Sequence, residues 1–444
     1  RGAPPPNHRT KPFMNNPGQP NSLLSDARYH AYYAQFRSGL ARMKVIVLGA
    51  GVVGVTTAYY LAASGHDVTV VERCDEPAAG TSHANGGQLS YSFTDALARP
   101  SFLKAIPGLL LGHDPAVRVT LRSNLPLIGW GLRFLMQCTP SRARANTLHV
   151  LQLAMRSASL LAAIRERTGV QFAFRQSGKL VLLPADANLK AVARTIALKK
   201  EHGCHTELLP IAKACELEPA IERFRGRYAA ALYSAGDEVG DAHQFTSALC
   251  HWLAREAGVR FRYGETAVSL SLQSGRVVGV RTDKGSLAAD RVVVCLGAWS
   301  PPILRTAGVH ARIYPVRGYS LTLPAGTDSP SISITDLQRR LLFCPLNGDM
   351  RIAGFADFTG FDGQSDRARI SLLASVAKEI APTAADYKSG HEVWAGSRPM
   401  TPDGRPLSGP TNVPGLYMNC GHGMLGWTLA CATASDVAVT VAQS

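Results

Sequence analysis

A chain of 444 residues exceeds the size at which one hydrophobic core stops growing, so two domains are expected. Its 46% hydrophobic and 18% charged residues exclude a disordered chain, and the absence of any fixed-period repeat excludes a solenoid or propeller. The net charge of +15 is scattered rather than concentrated in a basic run, which argues against a nucleic-acid arm and suits an anionic cofactor, a carboxylate substrate or an anionic membrane surface.

The nine cysteines are odd in number and contain no C-x-x-C pair, so neither a zinc site nor a disulfide framework is expected, and a reducing compartment is. Residues 1–42 form a basic, proline-rich stretch with Asp26 as its one acid; they read as an extension outside the fold, either a transit peptide or an over-extended start. From Met43 the pattern sharpens. Residues 44–48 are a β-branched run typical of a strand buried on both faces. Glycines 49, 51 and 54 follow, then a helical pattern over 55–64 stopped by Gly65, then a second strand over 68–71 ending at Glu72.

Residues 97–136 string apolar clusters between Lys104, Arg118, Arg122 and Arg133. This segment reads as core-facing helix, with an interfacial membrane segment as the alternative. No stretch reaches the ~18 apolar residues of a membrane-spanning helix. Helices are predicted over 150–167, 185–202, 243–258, 370–380 and 424–442. Strands are predicted at 180–183, 259–263, 268–272, 277–282, 292–296, 314–323 and 343–354. Such mixing fits interleaved α/β and α+β domains.

The glycine turn lies between strand and helix with an acid 23 positions after Gly49, the context that makes a dinucleotide fingerprint specific. Gly49 permits the tight turn, Gly51 clears the approach of a pyrophosphate, and Gly54 lets helix and strand close together. The helix N-terminus offers unpaired N–H groups to the phosphates, and Glu72 suits a ribose hydroxyl. The turn alone leaves FAD and NAD open.

Three further segments decide between them: Thr81-Ser82-His83-Ala84-Asn85-Gly86-Gly87-Gln88; Gly396-Ser397-Arg398-Pro399-Met400-Thr401-Pro402-Asp403-Gly404; and Cys420-Gly421-His422-Gly423-Met424-Leu425-Gly426. Together they resemble the D-amino acid dehydrogenase branch of the FAD-dependent amino-acid and amine oxidoreductases, the fold group of D-amino acid oxidase. The resemblance runs from Met43 to the C-terminus. It implies a Rossmann-type FAD-binding domain (43–95, 236–310 and 395–444) interleaved with a substrate domain on a mostly antiparallel sheet (96–235 and 311–394). It also implies non-covalent FAD, with Cys420 departing from the usual hydroxyl or small residue.

By position, the resemblance assigns Val47, Gly49, Ala50, Gly51, Val52, Val53 and Gly54 to the pyrophosphate turn, with Glu72 and Arg73 at the end of the second strand. Ser82, Ala84, Asn85 and Gln88 would flank the isoalloxazine. Val268 would contact adenine through its backbone, and Gly297 would lie near the dinucleotide. Gly421, His422, Gly423, Leu425 and Gly426 would aim a helix start at the flavin pyrimidine, where N–H groups stabilise anionic charge.

The implied activity is oxidation of D-amino acids to 2-oxo acids and ammonia by hydride transfer from Cα to flavin N5, with electrons passing to a quinone-type acceptor. An oxygen-using oxidase of glycine, sarcosine or a D-proline-like secondary amine is the alternative, and an NAD-dependent dehydrogenase the second. Arg398 matches the family's carboxylate anchor, for which a planar guanidinium fork is suited. Tyr319 is a candidate to orient the carboxylate or cover the pocket, and His422 to touch flavin or substrate. Asp241 reads as a helix N-cap rather than a catalytic acid. No general base stands out and no metal is expected. A cytoplasmic location is implied, with peripheral contact to the inner membrane face through 97–136.

Overall fold

A computed structural model describes residues 42–120, 125–361, 367–389 and 392–444. The expected extension, apart from Arg42, and Arg122 therefore lie outside the described residues.

Two sheets organise the chain. The first has six strands, in spatial order Leu407–Pro410, Leu416–Cys420, Arg291–Val294, Lys44–Leu48, Asp67–Val71 and Arg260–Arg262. All neighbours are parallel except the first pair. Its central strand explains the β-branched run, because Val45, Ile46, Val47 and Leu48 are all buried between helices on one face and a small antiparallel sheet on the other. That small sheet comprises Ala267–Gln273, Arg276–Thr282 and Gly285–Ala288. Helix Val52–Ala63 packs against the closing helix Gly426–Ala442, which in turn packs against helix Pro140–Thr168. Gly65, at φ +90°, follows the C-cap of the first helix.

The second sheet has nine strands among the described residues and is mostly antiparallel. Its order is Glu392–Met400, Tyr314–Pro324, Asp349–Phe358, Leu341–Leu346, Ser333–Asp336, Lys179–Pro184, Tyr228–Ser234 and Glu207–Pro210, with Val117–Val119 beside Asp349–Phe358. Helix Arg367–Ile380 covers one face through Ile370, Leu373, Ala377 and Ile380. The predicted 343–354 strand is a hairpin, Leu341–Leu346 and Asp349–Phe358, turned at Asn347 and Gly348, both at positive φ.

The 97–136 segment forms helices Pro100–Leu110 and Leu125–Gln137. The first buries no residue and the second buries Leu127, Trp130 and Phe134, so the core-facing reading holds for one helix face only. Two helices, Pro140–Thr168 and Gly423–Ala442, are long and apolar enough to cross a membrane. The sequence reading missed this because alanine, serine and threonine interrupt their runs of large apolar residues. Both pack into the core of the first sheet, where amphipathic and buried helices of this composition are at home.

Candidate active site

A cavity of about 1430 Å³ lies between the two sheets. It exceeds the roughly 300–1,000 Å³ of a drug-sized ligand site, leaving room for a dinucleotide and a small substrate together.

The glycine turn forms one wall, and its three glycines have different reasons to be glycine. Gly49 sits at φ +102°, and a Cβ there would stand 2.8 Å from the Cys295 carbonyl oxygen. A Cβ at Gly54 would stand 1.9 Å from the Gly49 carbonyl oxygen, so helix and strand touch there. At Gly51 the protein demands nothing: a Cβ would meet only the Ser82 hydroxyl, at 3.4 Å. Gly51 lines the cavity, and its bare backbone clears space for a group outside the chain. The Val52 N–H, one of the orphan donors of the helix start, donates to Ser82 Oγ at 3.1 Å. Ser82 can donate its own proton onward to an anion. Glu72 is fixed by the Ala50 N–H (2.8 Å) and the Cys74 N–H (3.0 Å), each oxygen keeping a further acceptor site. Asn419, on the cavity wall and fully buried, donates to Thr57 at 3.0 Å while its Oδ1 has no partner.

The loop after the second strand bridges the two sheets. Thr81 donates to the Ser397 carbonyl (2.9 Å), and Ser320 donates to the Ala84 carbonyl (2.6 Å). Asn85 accepts from the Gly87 N–H (2.9 Å), closing a tight turn at φ +68°. Lys179, opening a strand of the second sheet, is buried and donates to Gln88 (2.9 Å) and Ser90 (2.6 Å). Burial lowers its pKa to about 8. Sequence reading missed Lys179; the available signal was a lysine opening the apolar run Leu180-Val181-Leu182-Leu183.

Arg398 stands on strand Glu392–Met400, paired with strand Tyr314–Pro324. Its Nη1 donates to the Phe355 carbonyl (2.6 Å) and its Nη2 to the Gly354 carbonyl (3.4 Å). Gly318 makes room for it, since a Cβ there would fall 2.4 Å from the guanidinium carbon. Burial lowers its pKa to about 10, an effect partly offset by Asp357, so it stays cationic at neutral pH. Among the described residues no carboxylate forms an ion pair with it. A half-buried cation on the cavity wall, with no carboxylate in ion-pair contact, favours a ligand that supplies the charge.

A family model described as FAD dependent oxidoreductase matches residues 44–439. The chain belongs to the FAD dependent oxidoreductase family. A protein named D-amino acid dehydrogenase, from Rhizobium johnstonii, is 39% identical over 395 residues, covering 88% of this chain and 94% of the relative. Among solved structures, L-proline dehydrogenase from P. horikoshii superposes with a TM-score of 0.70 at 21% identity, covering 91% of this chain and 94% of that one. Glycine oxidase from Geobacillus kaustophilus gives 0.69 at 22%, covering 90% and 94%. These two share the fold.

In this FAD dependent oxidoreductase the cavity gathers Gly49, Gly51, Val52, Val53, Glu72 and Arg73 with Ser82, Ala84, Asn85 and Gln88. Gly297, His422, Gly423, Leu425 and Gly426 complete the same wall. Val47, Ala50, Gly54 and Gly421 do not line it. Val47 and Ala50 are core residues and Gly54 is the helix–strand contact. Gly421, at φ +77°, shapes the loop, and a Cβ there would press on Thr401. The cavity wall reaches Glu265, Thr266 and Ala267, next to Val268, whose side chain is exposed; the expectation there concerns its backbone.

Tyr319 edges the cavity, but its hydroxyl donates to buried Asp357 (2.8 Å), which also pairs with Arg118 and Arg369. His422 contributes to the wall while its Nε2 meets Thr433 Oγ1 at 2.9 Å inside the closing helix. Thr433 Oγ1 also lies 3.2 Å from the Leu429 carbonyl, and the direction of the His422–Thr433 bond follows the imidazole tautomer. The Tyr319 hydroxyl and His422 Nε2 are thus each engaged by an internal partner, while among the described residues no such partner holds His422 Nδ1. Asp241 is the predicted cap, accepting from the His243 and Gln244 N–H groups at 2.8 and 3.0 Å. Burial holds the Cys420 thiol near pKa 12, far from a reactive thiolate.

Burial lowers the His422 pKa from 6.5 to about 3. The unfolded chain binds a proton on this residue below pH 6.5 and the native protein does not, so stability is lost as pH falls from 6.5 toward 3. Urea unfolding at pH 7 and pH 5 should show the wild type losing about 2 kcal/mol more than His422→Gln. Equal losses would place the imidazole in a solvated setting.

Proposed function

We propose that this enzyme oxidises D-amino acids at Cα, giving 2-oxo acids and ammonia. The observation that carries this is Arg398, a half-buried cation that forms no ion pair among the described residues and lines an FAD-sized cavity, in a chain whose relatives are named D-amino acid dehydrogenase. Bound FAD supplies a hydride acceptor. The chain's residues do the positioning. The Arg398 fork holds the substrate carboxylate, and the Phe355 and Gly354 carbonyls hold the fork. Tyr319, through Asp357, braces the neighbouring strand rather than touching substrate. Ser82, Val52 and Val53 meet the pyrophosphate, and Glu72 the ribose. Asn85 and Gln88, the latter held by Lys179, line the flavin's flank. The site asks no side chain to act as base: an amino acid bound as the neutral amine needs only its carboxylate fixed and its Cα–H aimed.

The electron acceptor in this reading is a quinone drawn from a membrane. Helix Pro100–Leu110 supplies Ser101, Phe102 and Leu109 to the cavity rim and leaves Leu103 and Leu110 exposed. Beside it Leu125, at 76% exposure, and Leu132, at 60%, continue an apolar surface dotted with Lys104 and Arg133. Exposed apolar side chains with basic neighbours suit the face of an anionic bilayer, and helix Pro100–Leu110 brings them to the cavity rim. The protein would then be cytoplasmic and peripheral. Incubation with a D-amino acid and a soluble quinone analogue should yield 2-oxo acid and ammonia in equal amounts, with slow turnover in air alone. Rapid peroxide formation without quinone would instead make it an oxidase. Flotation with anionic vesicles should be lost in the Leu125→Glu, Leu132→Glu double variant, and flotation unchanged by it would remove the membrane contact.

A further inference from the structure

Side chains from distant stretches of the chain converge at the outer end of the bridging loop. His83 belongs to that loop, His243 to the first turn of helix Ala242–Glu256, and Glu76 to the segment after strand Asp67–Val71. One donor atom from each lies within 4.8 Å of the others. The two imidazole rings are 4.8 Å apart, with Trp394 4.4 Å from His83. His83 Nε2 is held by Glu392 at 2.8 Å. His83 Nδ1 and His243 Nε2 are both buried atoms without a hydrogen-bond partner. Buried imidazole nitrogens are normally satisfied, and two orphans on histidines clustered with a carboxylate ask for a shared partner.

We propose that Glu76, His83 and His243 bind one divalent transition-metal ion of the zinc class. Two imidazoles and one carboxylate are a borderline N/O donor set, suited to zinc and its neighbours rather than to magnesium or calcium. Glu392 plays the outer part, a carboxylate that accepts from the ring nitrogen turned away from the ion and so fixes its tautomer. Zinc–ligand distances of about 2.0–2.2 Å require the three donors to close in from their present spacing. Glu76 is exposed and able to move. No spacing motif marked this site, because the two histidines are 160 positions apart in sequence (243 − 83). His83 lies between Ser82, at the helix start, and Ala84, held by Ser320. An ion there would pin the bridging loop to helix Ala242–Glu256.

The test is calorimetric titration of chelator-treated holoenzyme with zinc chloride. One equivalent should bind at micromolar concentration or below and raise the melting temperature. His83→Ala and His243→Ala should each weaken binding by at least ~10-fold, and Glu76→Gln should weaken it in the same direction. Cys74→Ser, which removes the nearby half-buried thiol, should leave binding unchanged. Absence of binding up to millimolar zinc would overturn the site. So would wild-type affinity in both histidine variants, or loss of binding in Cys74→Ser alone. Should His83→Ala lose its flavin, His243→Ala and Glu76→Gln decide the matter, since both lie outside the cavity wall.

Discussion

Arg398→Ala should lower kcat/KM for the D-amino acid about a thousandfold while the protein keeps its FAD. Removing one partner of a desolvated charge pair costs about 2–5 kcal/mol, and a thousandfold corresponds to about 4 kcal/mol. Arg398→Lys retains the charge but not the planar fork, so a smaller loss, on the order of tens-fold, is expected. A second variant reaches the same group by a different route. Gly318→Ala places a methyl 2.4 Å from the guanidinium carbon and must displace it. It should therefore approach the Arg398→Ala phenotype although Gly318 offers no chemistry of its own. Full activity in Gly318→Ala, or a flavin-replete Arg398→Ala with wild-type kinetics, would dismiss the carboxylate anchor.

The second large effect separates two glycines that look alike in the motif. Gly51→Val should fold but purify colourless, because the added side chain fills space that the protein leaves open and FAD needs. Gly54→Ala should fail at the level of folding, since its Cβ would lie 1.9 Å from a backbone oxygen that cannot retreat. Flavin absorbance and circular dichroism distinguish the outcomes. A yellow, fully loaded Gly51→Val would mean that the pyrophosphate passes elsewhere.

The readability of the chain followed the physics of each part. Residues 44–48 and the glycine turn were legible because a strand buried on both faces and a tight turn each leave a local signature, and the strand observed is Lys44–Leu48. Helix Pro140–Thr168 was predicted to start only at 150. Its first ten residues hold Leu148 as their one large apolar side chain, yet Thr139 caps it and Pro140 opens it, a boundary signal stronger than the hydrophobic pattern there. Strand Glu392–Met400, which carries Arg398, was missed as a strand. Its burial is mixed along its length, with no clean alternation to mark it.

Within the site, Arg398 and the Ser82–Gln88 loop stood out by motif, whereas the places of the Tyr319 and His422 polar atoms did not. Those depend on Asp357 and Thr433, partners that only the tertiary fold brings near. The approach of His83 to His243 was invisible for the same reason, whereas Lys179 was marked by its place at the start of an apolar run.

D-amino acids deliver their electrons to FAD in the cavity beside Arg398. Anaerobic mixing of the yellow holoenzyme with each enantiomer of alanine and of proline, followed in the visible flavin band, measures that step without any acceptor. The D-enantiomers should bleach it, and an Arg398→Ala protein should stay yellow under the same conditions. Bleaching by the L-enantiomers alone, or by neither, would contradict D-amino acid oxidation at this site.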